Sequence, residues 1–289
     1  MKTFILILFL ILSINIRPQD NQFNFNSPDN IRRFADFLFC DRDYLRAALE
    51  YERILGISGD DTLRFKIGLS YSCTGKYDYA IKNFSGINYT SFYYDNSKLE
   101  ILKSNFLMNN FAGLRTYYRN TFLKKVKNFR EEGKKLFNFS YLFTDEPLPE
   151  EDEFLSPFEM NEREQLTAFY NWKNDPPYKS GAIAGIMSAV IPGSGKMYAG
   201  EVSDGIVALL VTGVAAFFAY DNFRAGHTTR AWIFTGLTAF FYGGNVYGSV
   251  AAAQVHNAKI KFEYNESVKQ YLEENNYYSP EYDFCSEND

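Results

Sequence analysis

Beyond residue 179, three stretches of this chain carry no charged residue: Ser180–Gly195, Gly205–Tyr220 and Ala231–Val255. The last is twenty-five residues long. At a rise of 1.5 Å per residue it reaches about 37 Å as a helix, enough to cross a hydrocarbon core of ~30 Å. The middle one is sixteen residues, about 24 Å, and spans if it extends through Asp204 and Asp221. Neither shows a polar face at helical spacing. A helix apolar all round needs the centre of a large protein or lipid, and the rest of a 289-residue chain is too small to surround two of them. Residues 179–260 are therefore expected to form a transmembrane helical hairpin with the lipid bilayer as partner. The connection Asp221–Arg230 makes the spans antiparallel neighbours, and Tyr220 and Trp232 flank it at interfacial depth.

The stretch Ser180–Ile191 is too short to cross, and Pro192-Gly193 breaks it. Irregular backbone at membrane depth needs protein or water around it, so a partial insertion leaning on the hairpin is expected. The alternative is a third full span reaching Tyr198. Gly193-Ser194-Gly195-Lys196 has the look of a phosphate-binding loop, but Val190 stands where the first glycine belongs and Met197 where the hydroxyl belongs. Lys196 is expected to snorkel and Tyr198 to sit at the interface. Gly200 turns the chain, and Asp204 is expected to cap the next helix. Gly181-x-x-x-Gly185 and Gly244-x-x-x-Gly248 are small-residue ridges, expected to pack on each other or on a second copy. Asn245 is expected to hydrogen-bond the opened backbone at Gly193–Gly195.

In the first half, Tyr44 and Tyr77 are 33 residues apart, as are Ala47 and Ala80, and Tyr51 and Phe84. A weaker third copy places Phe111, Leu114 and Tyr118 34 residues further on. The second copy sets Gly68 and Tyr71 on one helix and Ala80 and Phe84 on the next, with Gly75 and Tyr77 at the turn; the first uses Phe34, Ala35, Leu38, Ala47 and Tyr51. Residues 28–122 thus resemble a short tetratricopeptide array, in which stacked helical pairs bury a continuous core. Cys40 and Cys73 occupy equivalent repeat positions, too far apart on neighbouring helices for a disulfide, so two free core cysteines are expected. Phe122, Val126, Phe129, Gly133 and Leu136-Phe137 keep helical spacing beyond the array, with lysines on the solvated face.

The N-terminus pairs Lys2 with the uncharged stretch Thr3–Ile16, read as a signal peptide over 1–19, or an uncleaved anchor. The expected division is then a helical repeat domain over 20–145, an acidic, proline-bearing linker with a short helix over 146–178, the membrane domain 179–260, and a tail 261–289 that frays past Tyr277. Net charge is −5, which argues against nucleic-acid binding. With two histidines and three cysteines at unsuitable spacings, no metal site, cofactor or catalytic constellation can be assembled. Arg224 and Arg230 in the hairpin loop and a cleaved signal would put the repeats on the translocated side, the periplasm in a bacterium, while Lys173, Lys179, Lys259 and Lys261 point the other way.

Pro192, Gly193, Gly195, Tyr198 and Gly200 followed by two apolar tracts resemble a small bacterial two-span membrane module with a Pro-Gly-x-Gly-x-x-Tyr-x-Gly start, covering about 178–260. That resemblance carries no catalytic residues. Together the two resemblances imply an all-α, non-enzymatic, inner-membrane protein whose repeats bind a protein or peptide. The alternative is a transport or assembly component that oligomerises around a polar path through its Gly-x-x-x-Gly faces.

Overall fold

The computed structural model describes residues 26–278 and 282–285; the signal-peptide reading of 1–19 lies outside them. The described residues are helical, without strands. They fall into two compact units, residues 26–104 with 282–285, and residues 105–278.

The first unit is built from successive helical hairpins: α1 Pro28–Cys40, α2 Tyr44–Ser58, α3 Asp61–Cys73 and α4 Tyr77–Ser85, each packed on the next, followed by α5 Tyr94–Leu107, which belongs to this unit up to Ser104. Local chemistry sets the boundaries. Ser27 accepts from the Asn30 amide ahead of Pro28, Asp43 from Arg46, and Asp60 from Thr62, satisfying otherwise orphaned helix-start donors. Gly59 closes α2 in the left-handed region at φ 59°. Ala35, Ala47, Tyr51, Ile67, Gly68, Tyr71, Ala80 and Phe84 are buried, and Tyr44 and Tyr77 sit half-buried at the turns. The Phe84 ring fills the space a Gly68 side chain would need. Phe34 departs from the expected packing set: it is 49% exposed, because the buried stripe of α1 runs through Ile31, Ala35 and Leu38, which leaves residue 34 outside it.

The cysteines correct the expectation of two free core thiols. Cys40 is bonded to Cys285, with Cα atoms 5.7 Å apart across 245 residues of sequence. Cys73 is the free one and reaches solvent; packing round its sulfur and the Glu100 carboxylate push the thiol up to about 11. The tail does not simply fray past Tyr277, since Tyr282 and Phe284 pack on Phe65.

The second unit begins with α6 Phe111–Tyr117, which runs on through a π turn, Tyr118–Phe122, to Lys125. The single helix expected across 122–137 is broken: Val126 is extended and Phe129 takes φ 60°, before α7 Arg130–Leu142 begins. The acidic segment expected as a linker holds α8 Glu151–Leu155 and α9 Met160–Asn174, with Phe154, Phe158, Leu166 and Phe169 buried. Glu162 ties this part together, accepting from Lys135 Nζ at 3.0 Å, the Glu159 amide at 2.9 Å and the Tyr277 hydroxyl. Burial works to raise its carboxyl, but the bonds from Tyr277, Glu159 and Lys135 outweigh it and hold the carboxyl below its ordinary value. A depressed carboxyl stabilises the fold fully above its unfolded value near 4.5. That contribution is lost as pH falls through the lower folded value. Melting followed from pH 6 to 3 should show this loss in the native chain, and Glu162→Gln should flatten it.

Four further helices complete the unit: α10 Gly181–Val190, α11 Ser194–Tyr198, α12 Val202–Arg224 and α13 Thr228–Glu274. At 47 residues α13 is about 70 Å long. Its first half packs on α10 and α12; its last turns bury Tyr264, Val268 and Tyr271, with Phe169 and Trp172 edge-on to Tyr264. The loop between α12 and α13 is only 225–227, shorter than expected, because both helices continue through the charged residues at its ends. Among the described residues α12 is the one helix long and apolar enough to cross a membrane. Ala231–Val255 is uncharged but diluted by Thr235, Thr238, Tyr242, Asn245 and Tyr247.

Candidate functional site

The α10–α13 bundle is assembled inside out. On α12 the buried positions are Gly205, Thr212, Ala215 and Ala219, one narrow stripe of small residues. Ile206, Leu210, Val214, Phe217 and Tyr220 point away from it and are exposed. On α13 the buried positions of this half are Ala231, Asn245, Ser249 and Ala253, whereas Trp232, Ile233, Phe240 and Tyr247 are exposed. A water-soluble bundle sorts its side chains the other way, because burying apolar area is what drives folding in water.

Small residues let backbones touch, and hydroxyls and an amide bond the helices in that close space. Ser188 Oγ and Ser249 Oγ share a hydrogen bond of 2.6 Å, and the Gly195 amide donates to Ser188 Oγ at 3.0 Å. Ser249 Oγ donates to the Asn245 carbonyl one turn earlier. Asn245 Nδ2 donates to Ala208 O and Thr212 Oγ1, both at 3.3 Å. This corrects the expected bond from Asn245 to the Gly193–Gly195 backbone: Ser188 serves that backbone, beside Ser249, and Asn245, one turn before Ser249 on α13, bonds α12 instead. Exchanging Asn245 for Leu removes two interhelical bonds and should lower bundle stability by roughly 1 kcal/mol, read as a lower melting temperature in detergent.

The α10–α11 segment doubles back. The Ser180 amide donates to the Tyr198 hydroxyl at 3.3 Å, so its two ends meet. Lys179 and Asn257 exchange two hydrogen bonds, 2.7 and 2.9 Å, at that same end. At the far end the Tyr242 hydroxyl donates to Ala189 O. Pro192 is half-buried at the reversal, Gly193 takes φ 88°, and Gly200 takes φ 96° at the return. A methyl on Gly193 would strike the Gly205 carbonyl, and one on Gly195 the Ala184 carbonyl, so both positions are glycine by close approach. The expected helix cap at Asp204 is displaced: Glu201 holds the cap position of α12 and Asp204 lies in the first turn.

The two glycine ridges do not meet. Gly181 and Gly185 face Val250, and Gly185 also Val246, while the Lys196 stem lies over Gly248 and nothing lies near Gly244. Beside Gly244 is a crevice of about 360 Å³ whose wall includes Lys196, Asp204, Thr212, Asn245 and Phe240. Asn245 is 5% exposed and its Oδ1 has no hydrogen-bond partner. Sequence reasoning missed Ser188, Ser249 and Thr212, which were passed over as neutral members of apolar tracts; their signal is a hydroxyl in the small-residue stripe of each helix. The chain matches no protein-family model, no curated protein and no solved structure.

Proposed function

We propose that this chain is a membrane-anchored interaction scaffold: residues 179–257 sit in a lipid bilayer, and the first unit, read as a short tetratricopeptide-like array, binds a partner protein or peptide. The observation that carries the anchor is the inverted sorting of the bundle, small and polar within and Leu, Val and Phe without. Such a surface is stable only where apolar chains surround it. In this reading α12 and the first half of α13 cross the bilayer, the latter kept in lipid by interhelical bonds despite its threonines and Asn245. The α10–α11 hairpin enters and leaves on one side, its irregular turn covered by α12 and α13. Support for partner binding comes from aromatic side chains left exposed on the first unit: Phe34, Phe37, Tyr79, Tyr89 and Phe92. Anchoring raises the effective concentration of the partner at the membrane rather than performing chemistry.

The test is site-specific photo-crosslinking in the living host. A photoreactive residue at Phe37 or Phe92 should yield a discrete adduct that the same residue at Lys82 does not. Identical, diffuse labelling at all three positions contradicts the scaffold reading. The crevice beside Gly244, with Lys196 and Asp204 in its wall, favours a second reading: a transport or assembly component oligomerising through that open face. Solute or ion flux in liposomes carrying the full chain, abolished by Gly244→Leu, would favour it.

A further inference from the structure

Residues 282–285 lie on the first unit as a bound peptide would. They cross three helices that hold the same place in successive hairpins. On α5, Asn96 Nδ2 donates to the Tyr282 hydroxyl, which in turn donates to Glu100 Oε1, both at 3.4 Å. On α3, the Tyr282 ring meets Phe65 edge-on at 4.9 Å, and the Lys66 ammonium lies 4.9 Å from the centre of the Phe284 ring. On α1, Phe284 stands edge-on to Phe39 at 6.0 Å, and Cys285 is bonded to Cys40. Asp283 between the two rings is exposed, so alternate residues face the helices, the pattern of an extended ligand rather than a helical one.

The surface beneath is built for such a ligand. Lys66 is positioned by Asp36 at 2.6 Å, which also accepts from the Tyr51 hydroxyl at 2.6 Å. Phe65 stacks on Tyr93 at 4.6 Å and meets the Tyr282 and Phe284 rings at 4.9 and 6.4 Å. Glu100 is fully buried, its Oε1 paired with Lys103 at 2.9 Å and its Oε2 without a partner. A carboxylate so placed favours a hydroxyl-bearing ring at that point over a plain one. The Cys40–Cys285 link has both residues exposed, open to thiol exchange.

We propose that this face is a docking groove for an extended Tyr-x-Phe segment of a partner protein, and that the chain's own segment 282–285 occupies it as a disulfide-held strap. The proposal rests on the scaffold reading of the first unit and names its ligand and its control. A dithiol reductant opens the strap. Its thiolate attacks one sulfur of the Cys40–Cys285 bond and expels the other as thiolate. Its second thiol then resolves the mixed disulfide. Two electrons and two protons pass to the pair, which ends as two thiols, and the reductant leaves as its own disulfide. While the bond is closed the strap is held at high local concentration and excludes a competitor; once opened it competes only as a tethered segment.

The test uses the full chain in nanodiscs and a fluorescent peptide of residues 278–289 carrying Cys285→Ser. Anisotropy should show no binding to the oxidised chain. Reduction, or Cys285→Ala, should give at least ten-fold tighter binding, and a peptide that also carries Tyr282→Ala and Phe284→Ala should not bind. Tyr282→Ala/Phe284→Ala in the chain, with the disulfide intact, is the second variant should Cys285→Ala not fold; it should also admit the peptide. Amide exchange at 282–285 should accelerate at least ten-fold on reduction. Peptide uptake no greater in the reduced and variant chains than in the oxidised one, with helical content retained, overturns the proposal and leaves the segment a structural staple. Photo-adducts at Phe37 without peptide binding would sink the strap and leave the scaffold standing. The absence of both adducts and peptide binding would sink both.

Discussion

Gly195→Ala should unseat the α10–α11 hairpin and lower the stability of the bundle by about 3 kcal/mol, the upper end of the range for overpacking a close contact. The added methyl has no free direction. It would meet the Ala184 carbonyl on one side and the Ser249 Cβ on the other, both on rigid helices. The Gly195 amide would be pulled from Ser188, and the Ser188–Ser249 bond would open with it. Gly213→Ala and Gly236→Ala have nothing within 4 Å of the new methyl. Both lie inside helices, where alanine is favoured over glycine by roughly 0.5–1 kcal/mol. The same chemical change should therefore destabilise at residue 195 and leave stability level or raised at 213 and 236. Thermal melts of the three variants in one detergent read the difference directly; equal melting temperatures would mean that the hairpin does not sit where its glycines place it.

Phe84→Ala is expected to cost about 3–5 kcal/mol in the first unit, as a buried aromatic exchanged for a methyl leaves a cavity. Phe84 is fully buried, lies against Phe65 at 5.5 Å and fills the notch that Gly68 leaves open. Because the chain has two units, a single unfolding transition is not assured. The effect is better read from exchange rates of α3 and α4 amides than from a global melt. A Gly68→Ala/Phe84→Leu pair should lose less than Phe84→Ala alone, since the smaller ring substitute makes room for the new methyl; strict additivity of the two changes would deny their contact.

Both predictions fall on residues that pattern could reach. The 33-residue spacing links Ala47 with Ala80 and Tyr51 with Phe84, and all four are buried. A period finds them because each hairpin repeats one packing problem. Phe34 escaped the same logic: its size marked it for the core, but burial follows the face of the helix. The reversal at Pro192–Gly195 was visible from backbone chemistry alone. The partners of Asn245 were not, since they depend on helical register between α12 and α13, which small residues leave loosely specified in sequence. Least legible was the Cys40–Cys285 pair. Comparing neighbouring repeats directed attention to Cys73, while the true partner lies 245 residues away. The tail was read as fraying, because the alternation of Tyr282 and Phe284 around Asp283 gains meaning only against the Phe65 surface.

The account stands on the placement of α12 and the first half of α13 in lipid. The direct measurement is the accessibility of a nitroxide at Leu210, at Leu237 and at Glu266 in the full chain reconstituted into liposomes, with the native cysteines exchanged for serine. The account predicts high oxygen accessibility and exclusion of a polar nickel chelate at 210 and 237, and the opposite balance at 266. Nickel accessibility at 210 and 237 equal to that at 266 would contradict it.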